Sequence, residues 1–436
     1  MFQRRAPLAD RITFQLDGRE IEGDRGEPIA VALLAAGEAV IARSPKLHRP
    51  RGPYCLRGDC DGCLARVDGE PNVMTCLRAA RGGEQIVGQN VLGSRETDLL
   101  RITDWFFPRG IDHHHLMAGV PGVGSAMQSF ARQMAGTGRL PDAPLALGQA
   151  ARESCDVLVV GGGLAGLACV AALEGRGAAV TLVDEAPLLG GSARYAPDLA
   201  RVVEPLVERA RGTAAALVGS TAVGIFDGEA LIAEPSRARV IRPRALVLAT
   251  GAHDPVLCVE GNDLPGVVSA RALCQLASRG VIPDGPVALV GDGPWIERAR
   301  AVLDGLSFES YAADDLIAVM GSSRVKGIRT RSAGRRVCVV VGVGGRRSTL
   351  VSAGSTSRCQ HAGDERGLFD RRRRRWTGGA VRVRGGRVHR DAFRAWGADR
   401  ERRAGRDGRA QPSMTVSNRP IPPAVKMKPK SPSREK

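Results

Sequence analysis

Four cysteines, Cys55, Cys60, Cys63 and Cys76, fall within 22 residues at the spacing C-x4-C-x2-C-x12-C. Thiolates are soft ligands for iron and zinc, and one loop carrying three of them at this spacing can wrap a small cluster. The first three match the plant-type [2Fe–2S] run. Gly58 and Gly62 stand where such a loop must fold tightly around the sulfurs. The intervening LARVDGEPNVM reads as a hairpin turning at Asp68-Gly69, which brings Cys76 back as fourth ligand. Zinc sites use two separated C-x2-C pairs, a different pattern. The other six cysteines are scattered and read mostly as small buried hydrophobes. Ten cysteines without an export signal point to metal or redox chemistry rather than a disulfide scaffold.

A second constellation follows at Asp156–Glu185, DVLVVGGGLAGLACVAALEGRGAAVTLVDE. An apolar, β-branched strand runs straight into Gly161-Gly162-Gly163-Leu164-Ala165-Gly166, then a helix, then a second strand ending at Asp184. Each part has a task in holding a dinucleotide. Gly161 permits the tight turn, Gly163 lets backbone approach a pyrophosphate, and Gly166 lets helix and strand pack closely. The helix N-terminus offers free N–H groups to phosphate, and Asp184 is placed to accept from a ribose.

These residues need elements to position them. RITFQLDGREIE alternates around Asp17-Gly18 as a hairpin, and Glu27-Pro28 opens an apolar helix closed at Gly37, which is how a β-grasp domain begins. The segment 101–150 reads as a helical linker, through TDLLRITDWFFP and SAMQSFARQMAG. Its Asp112-His113-His114-His115 reads as structural or surface, because adjacent histidines rarely converge on one ion. Beyond Asp184 come the doublet Gly190-Gly191, a helix at 197–211, short strands over 215–244, and the buried strand ALVLATG ending at Thr250-Gly251. Val287–Val290 and Gly291-Asp-Gly293-Pro-Trp-Ile296 repeat the strand-to-glycine turn with Ile296 in place of the third glycine. Whether this second turn holds NAD(P) or is an empty remnant stays open. His253, in the loop after Gly251, reads as a loop-ordering residue, with a catalytic role as the weaker alternative.

On the four cysteines, the run RSPKLHRPRG (Arg43–Gly52) and the segments GAHD and DLPGV, the chain resembles a group of FAD-dependent amine oxidoreductases. The group includes the alpha subunit of heterotetrameric sarcosine oxidase, the opine oxidases and hydrogen cyanide synthase. Sarcosine oxidase alpha subunits mostly lack the cluster cysteines, so the four thiols place this chain nearer the cluster-bearing relatives. The resemblance implies an α/β architecture: a β-grasp [2Fe–2S] domain, then a Rossmann-like two-dinucleotide flavoprotein domain. It implies FAD against Gly161, Gly163, Gly166, Asp184, Gly190, Gly191, Thr250 and Gly251, with Gly291 and Gly293 in the nicotinamide-type domain. It also implies a small amine or imino-acid substrate, of sarcosine, proline, opine or glycine type, together with a partner subunit.

The expected domains are 1–100 for the cluster, 101–150 for the linker, 151–323 for FAD and NAD(P), and 324–436 for an Arg-rich tail. Net charge is +17 overall, yet residues 1–323 hold 32 Lys and Arg against 38 Asp and Glu, while 324–436 hold 31 against 8. The basicity belongs to the tail, which lacks a nucleic-acid motif and interleaved aromatics, so nucleic acid is not the expected partner. Two accounts of the tail compete: a partly disordered basic extension, or a shifted reading frame beginning between about residues 320 and 360. The second is favoured because the chain is Arg-, Ala- and Gly-rich with one Lys before residue 324, as GC-rich coding gives, and a wrong frame of such coding yields Arg and Gly. The resemblance implies a returning strand ending in Gly-Asp that holds the flavin, and after residue 323 there stand instead 26 Arg, with the pentad Arg371–Arg375. No stretch reads as a membrane span or signal peptide, and a cytoplasmic location is expected. The expected reaction is oxidation of a CH–NH bond at FAD, with electrons leaving through the cluster. An NAD(P)H-fed reductase and a non-enzymatic cluster module are the alternatives.

Overall fold

The computed structural model describes residues 1–106 and 149–345, apart from Lys46, Asn90 and Ser236, together with the backbone of 380–382. The histidine run 113–115 and nearly all of the expected tail beyond 345 lie outside these residues. Met1–Val388 forms one compact unit.

The N-terminal part is a five-stranded sheet of order β3-β2-β8-β6-β7, built from β2 (Arg11–Leu16), β3 (Arg19–Asp24), β6 (Leu64–Val67), β7 (Glu70–Met74) and β8 (Gln85–Val87). Both hairpins turn where expected. Asp17 and Gly18, and likewise Asp68 and Gly69, all have positive φ, the conformation of the tightest hairpin turns. The helix Ile29–Ala35 lies on the sheet with Ile29 to Leu34 all buried. Its N-cap is Pro28, which offers no capping side chain, so the free N–H groups of Ile29 and Ala30 donate instead to Arg78 O and Thr75 O. That contact ties the start of the helix to the segment carrying Cys76.

The second part is built on a sheet whose first six strands run in the order β11-β10-β9-β14-β13-β12, from β9 (Ala151–Val160), β10 (Val180–Asp184), β11 (Ala214–Val218), β12 (Thr221–Phe226), β13 (Glu229–Ala233) and β14 (Ala238–Leu248). The helices Leu164–Leu173 and Ala200–Thr213 pack beside it. A four-stranded parallel sheet, β15-β22-β17-β18, carries the second glycine turn, with β15 (Val267–Ser269), β17 (Val287–Val290), β18 (Phe308–Tyr311) and β22 (Val340–Val343).

The boundary expected at residue 323 is corrected. β20 (Val325–Thr330) and β21 (Gly334–Arg336) complete a three-stranded sheet with β19 (Leu316–Gly321), and β22 sits in the middle of its sheet with all four residues buried. The second glycine-turn domain therefore runs at least to Gly345, the last of the contiguous described residues. Past it, β23 (Ala380–Arg382) lies parallel to β14, so a short strand does return to the first sheet, although no Gly-Asp follows it.

Contacts far apart in the chain dock the cluster domain on this body. β1 (Phe2–Arg4) pairs with β16 (Val281–Pro283), and Arg51 meets Asp263 at 2.6 Å. Tyr54 donates its hydroxyl to Pro255 O and accepts from Ser269 N at its carbonyl. Gly52 is pressed so closely between Ala39 O and Pro265 that a Cβ there would stand 2.6 Å and 3.1 Å from them. The segment Asn262–Gly266 is thus a dock for the cluster loop.

Candidate functional site

The loop Cys55–Cys63 is wound tightly. Leu56 is buried with φ of 52°, Gly58 has φ of 85°, and a Cβ at Gly62 would collide with Gly52 O at 2.1 Å. This winding aims backbone N–H groups at sulfur. Arg57 N and Asp59 N lie 3.4 Å and 3.2 Å from Cys55 Sγ, and Gly58 N lies 3.3 Å from Cys76 Sγ. Cys55 and Cys60 Sγ stand 3.3 Å apart, and Cys63 is hydrogen-bonded with Cys76. The neighbouring Cys60 and Cys76 thiols, then the Arg57 and Asp59 amides, push the Cys55 thiol well down, and the Cys60 and Cys76 thiols go up in return. Among the described residues no three His, Cys, Asp or Glu donors meet at one ion-sized point. The four thiols form one linked run, Cys60–Cys55–Cys76–Cys63, and with amides aimed at the Cys55 and Cys76 sulfurs this donor set fits a two-iron cluster.

The first glycine turn is built as its spacing predicts. Gly161 has φ of 105° and a Cβ there would stand 2.3 Å from Ala249 O; at Gly166 it would stand 1.9 Å from Gly161 O. Gly163 differs, since a Cβ there would meet nothing within 4 Å. It faces a cavity of about 1110 Å³. Gly190 N donates to Gly162 O, and Gly191 sits against Gly163. Asp184 accepts from Ala186 N at 2.8 Å and from Gly162 N, and burial raises its pKa against the pull of those amides and of Arg57. Thr250 Oγ1, at the end of the ALVLATG strand, is buried without a hydrogen-bond partner. An open glycine, an orphaned hydroxyl and a large cavity fit a dinucleotide such as FAD.

The cavity brings together most of the predicted residues. Gly161, Gly163, Asp184, Gly191, Thr250, Gly251, His253 and Gly293 line it, and so do Arg57, Gly58, Asp59 and Cys76 of the cluster domain. The cluster loop and the dinucleotide turn are therefore walls of one space. Gly166, Gly190 and Gly291 lie behind the wall and shape it. His253 is 45% exposed, with Nδ1 3.7 Å from Asp59 Oδ2.

Sequence reasoning missed a cationic side of the same cavity. Arg271, Gln275 and Arg279 recur every fourth residue along and just past the helix Ala270–Ala277, and all three line it. Arg271 is buried against Asp254 at 2.8 Å and stacks on Trp295, whose ring also has Arg298 5.0 Å from its centroid. Polar residues at i, i+4 and i+8 beside buried Ala, Leu and Cys were the available signal.

The second turn fits a nucleotide less well. Gly291 N donates to Tyr311 O as Gly161 N does to Val183 O, which makes Ala312 the counterpart of Asp184. The ribose position therefore carries no acceptor side chain. Pro294 opens the helix Pro294–Val302 and removes one of the N–H groups a phosphate would use. These residues do not match what NAD(P) asks of them.

Comparison with known proteins gives the same two parts. Residues 9–91 match the family described as 2Fe-2S iron-sulfur cluster binding domain, and residues 155–295 match pyridine nucleotide-disulphide oxidoreductase. The chain is 30% identical over 388 residues to the alpha subunit of sarcosine oxidase from Rhizobium meliloti (strain 1021), covering 79% of this chain and 38% of that protein. It is 32% identical over 174 residues to an opine oxidase subunit of Agrobacterium tumefaciens (strain Ach5), covering 32% of each. Its fold is similar to that of L-proline dehydrogenase from P. horikoshii, with a TM-score of 0.60 at 20% identity, over 79% of this chain and 62% of that one. The chain thus spans well under half the length of these two curated relatives.

Proposed function

From a chain that joins a 2Fe-2S iron-sulfur cluster binding domain to a pyridine nucleotide-disulphide oxidoreductase domain, we propose an FAD-dependent oxidoreductase that takes electrons from the CH–NH bond of an amine or imino acid. The electrons pass between flavin and a [2Fe–2S] cluster held by Cys55, Cys60, Cys63 and Cys76. One observation carries this reading: Gly58 and Cys76 of the cluster domain line the same cavity as Gly161 and Gly163.

The flavin supplies a two-electron acceptor and the cluster a one-electron relay. The protein's own residues do the placing. Gly163 leaves room for the pyrophosphate, Asp184 orients the ribose and Thr250 offers an unused hydroxyl. The amides of Arg57, Gly58 and Asp59 point at the Cys55 and Cys76 sulfurs, where hydrogen bonds would set the potential of a bound cluster. Tyr54, Gly52 and Arg51 hold the loop against the cavity, so the spacing of the two centres is built in. The names of the relatives, each a subunit, support assembly with further chains. The oxidising site for the amine then belongs either here or on a partner.

Iron and FAD assayed separately on purified protein, followed by anaerobic addition of sarcosine, proline, glycine or an opine with and without partner chains, test the proposal. Bleaching of flavin followed by reduction of the cluster is expected. Iron without FAD would defeat it. Reduction by NADH without any amine would instead favour a reductase, against which Ala312 and Pro294 weigh.

A further inference from the structure

The cluster loop does more than face the cavity; one of its side chains enters it. Arg57 stands between Cys55 and Cys60, and its Nη1 reaches Ser192 Oγ at 3.4 Å. Ser192 follows Gly191, which packs on Gly163, the glycine with open space before it. Arg271 Nη1 reaches the same Ser192 Oγ at 3.2 Å. Two guanidinium groups from two domains therefore converge beside the turn where a pyrophosphate would lie. The opposing charges nearby are Asp184 and Glu185, whose carboxyl pKa values burial pushes up while the Arg57 charge pulls them back. Asp59 holds the Arg57 Nε at 2.5 Å, which fixes the direction of the side chain, and Asp254 holds the Arg271 Nη2 at 2.8 Å.

We propose that Arg57 is a pyrophosphate ligand of the FAD site supplied by the cluster domain, so that FAD binding and cluster assembly are coupled. This rests on the function proposed above. Arg57 owes its position to a loop held in an uncommon winding, with positive φ at Leu56 and Gly58 on either side and its own amide on Cys55 Sγ. When the sulfurs are tied to iron the winding is enforced. When they are released the loop relaxes, and the guanidinium leaves Ser192. The cavity then keeps Asp184 and Glu185 against a doubly negative cofactor. Linkage requires the converse too: bound FAD favours the cluster by the same factor that the cluster favours FAD.

The test measures the FAD dissociation constant of the full chain by flavin fluorescence, with iron content determined on each sample. Three proteins are compared, wild type, Arg57→Gln and Arg57→Lys, each with its cluster and after anaerobic chelation of iron. Loss of one charge-assisted hydrogen bond to phosphate predicts that Arg57→Gln weakens FAD about 10- to 100-fold. Arg57→Lys, which keeps the charge and loses the fork, falls between. Iron removal weakens FAD comparably in wild type and adds little in Arg57→Gln. FAD affinity unchanged by Arg57→Gln, or an iron effect equally large with and without Arg57, overturns the proposal. A wild-type protein that binds no FAD, or no iron, sinks the function itself, whereas two cofactors that bind independently sink only the coupling.

Discussion

The two glycine turns share one framework and differ in what they leave open. In each, a buried strand ends at a glycine with φ near 100°, and that glycine lies against the carbonyl at the end of the next parallel strand. Registers match residue for residue, so Gly161, Gly166, Asp184 and Ala249 correspond to Gly291, Ile296, Ala312 and Gly344. In the first turn the helix carries the small residue and the strand a methyl. In the second the exchange is reversed: Ile296 is fully buried, and a Cβ on Gly344 would meet it at 2.3 Å. The close approach that a third glycine gives one turn is thus recovered at the other by a glycine on the facing strand. Packing is preserved by either route, while ligand chemistry is not. Both second-position glycines are sterically open, but only the first turn has a full set of N–H groups and an acid. A glycine count therefore reports the fold of such a turn more directly than its occupancy.

The largest test of this comparison is at the second turn. Ile296→Ala removes a fully buried side chain and is expected to cost about 2–5 kcal/mol, read by denaturant or thermal unfolding. Gly344→Ala alone overpacks against Ile296 and should cost about 1–3 kcal/mol. In the double variant the new methyl enters the vacated space, so the two losses should fall short of their sum by about 1 kcal/mol or more. Strict additivity would show that Ile296 and Gly344 are not exchanging volume. At the first turn, Gly166→Ala sets a methyl on Gly161 O, a backbone atom that cannot rotate away. A loss of about 2–3 kcal/mol and failure to retain FAD are expected together.

How far the sequence reveals this molecule depends on the distance over which each feature is determined. The hairpins at Asp17-Gly18 and Asp68-Gly69, the first turn and the cysteine spacing are local, and a few residues specify each. The shared cavity is not local. It exists because Phe2–Arg4 pairs with Val281–Pro283 and because Arg51, Gly52 and Tyr54 meet residues about 200 positions away. No periodicity encodes that. The strands Val325–Thr330 and Gly334–Arg336 were hidden for another reason. Val325, Gly327, Ile328 and Thr330 are buried in a near-alternating pattern, but Lys326, Arg329, Arg335 and Arg336 give the segment the composition of the basic tail. Arg57 and Ser192 carry no motif at all; only the docked loop makes them neighbours.

The two second-position glycines separate binding from stability. Gly163 has φ of −73°, which any residue adopts, and nothing within 4 Å of a new Cβ. Gly163→Ala should leave the FAD-free protein within about 0.5 kcal/mol of wild type while weakening FAD by at least about tenfold, because the methyl stands where phosphate approaches. Gly293 has φ of 91°, a conformation that costs a substituted residue about 1–3 kcal/mol. Gly293→Ala should therefore lower stability and leave FAD affinity nearly unchanged. If the two variants behave alike, the distinction between a turn that binds and a turn that only packs is wrong.

The smallest effect separates Asp184 from its counterpart Ala312. Burial raises the Asp184 pKa above its ordinary value of 3.8, with the Gly162 and Ala186 amides and Arg57 acting against it. A carboxyl whose folded pKa is raised costs stability when ionised. The cost is fully present above the folded pKa, shrinks as pH falls through it, and is gone below the unfolded value near 3.8. Asp184→Asn removes the charge and keeps a side-chain oxygen for one amide. FAD-free Asp184→Asn should therefore gain on wild type at pH 7 relative to its standing at about pH 3, by a modest amount visible in paired thermal scans. In the same protein FAD should bind more weakly, since the ribose loses a charged acceptor. Ala312→Asp, which installs the carboxyl at the second turn, should confer no NADH-driven flavin reduction, because Pro294 still withholds an N–H from phosphate. Reduction by NADH in Ala312→Asp would show that the missing acid alone had kept the second turn empty.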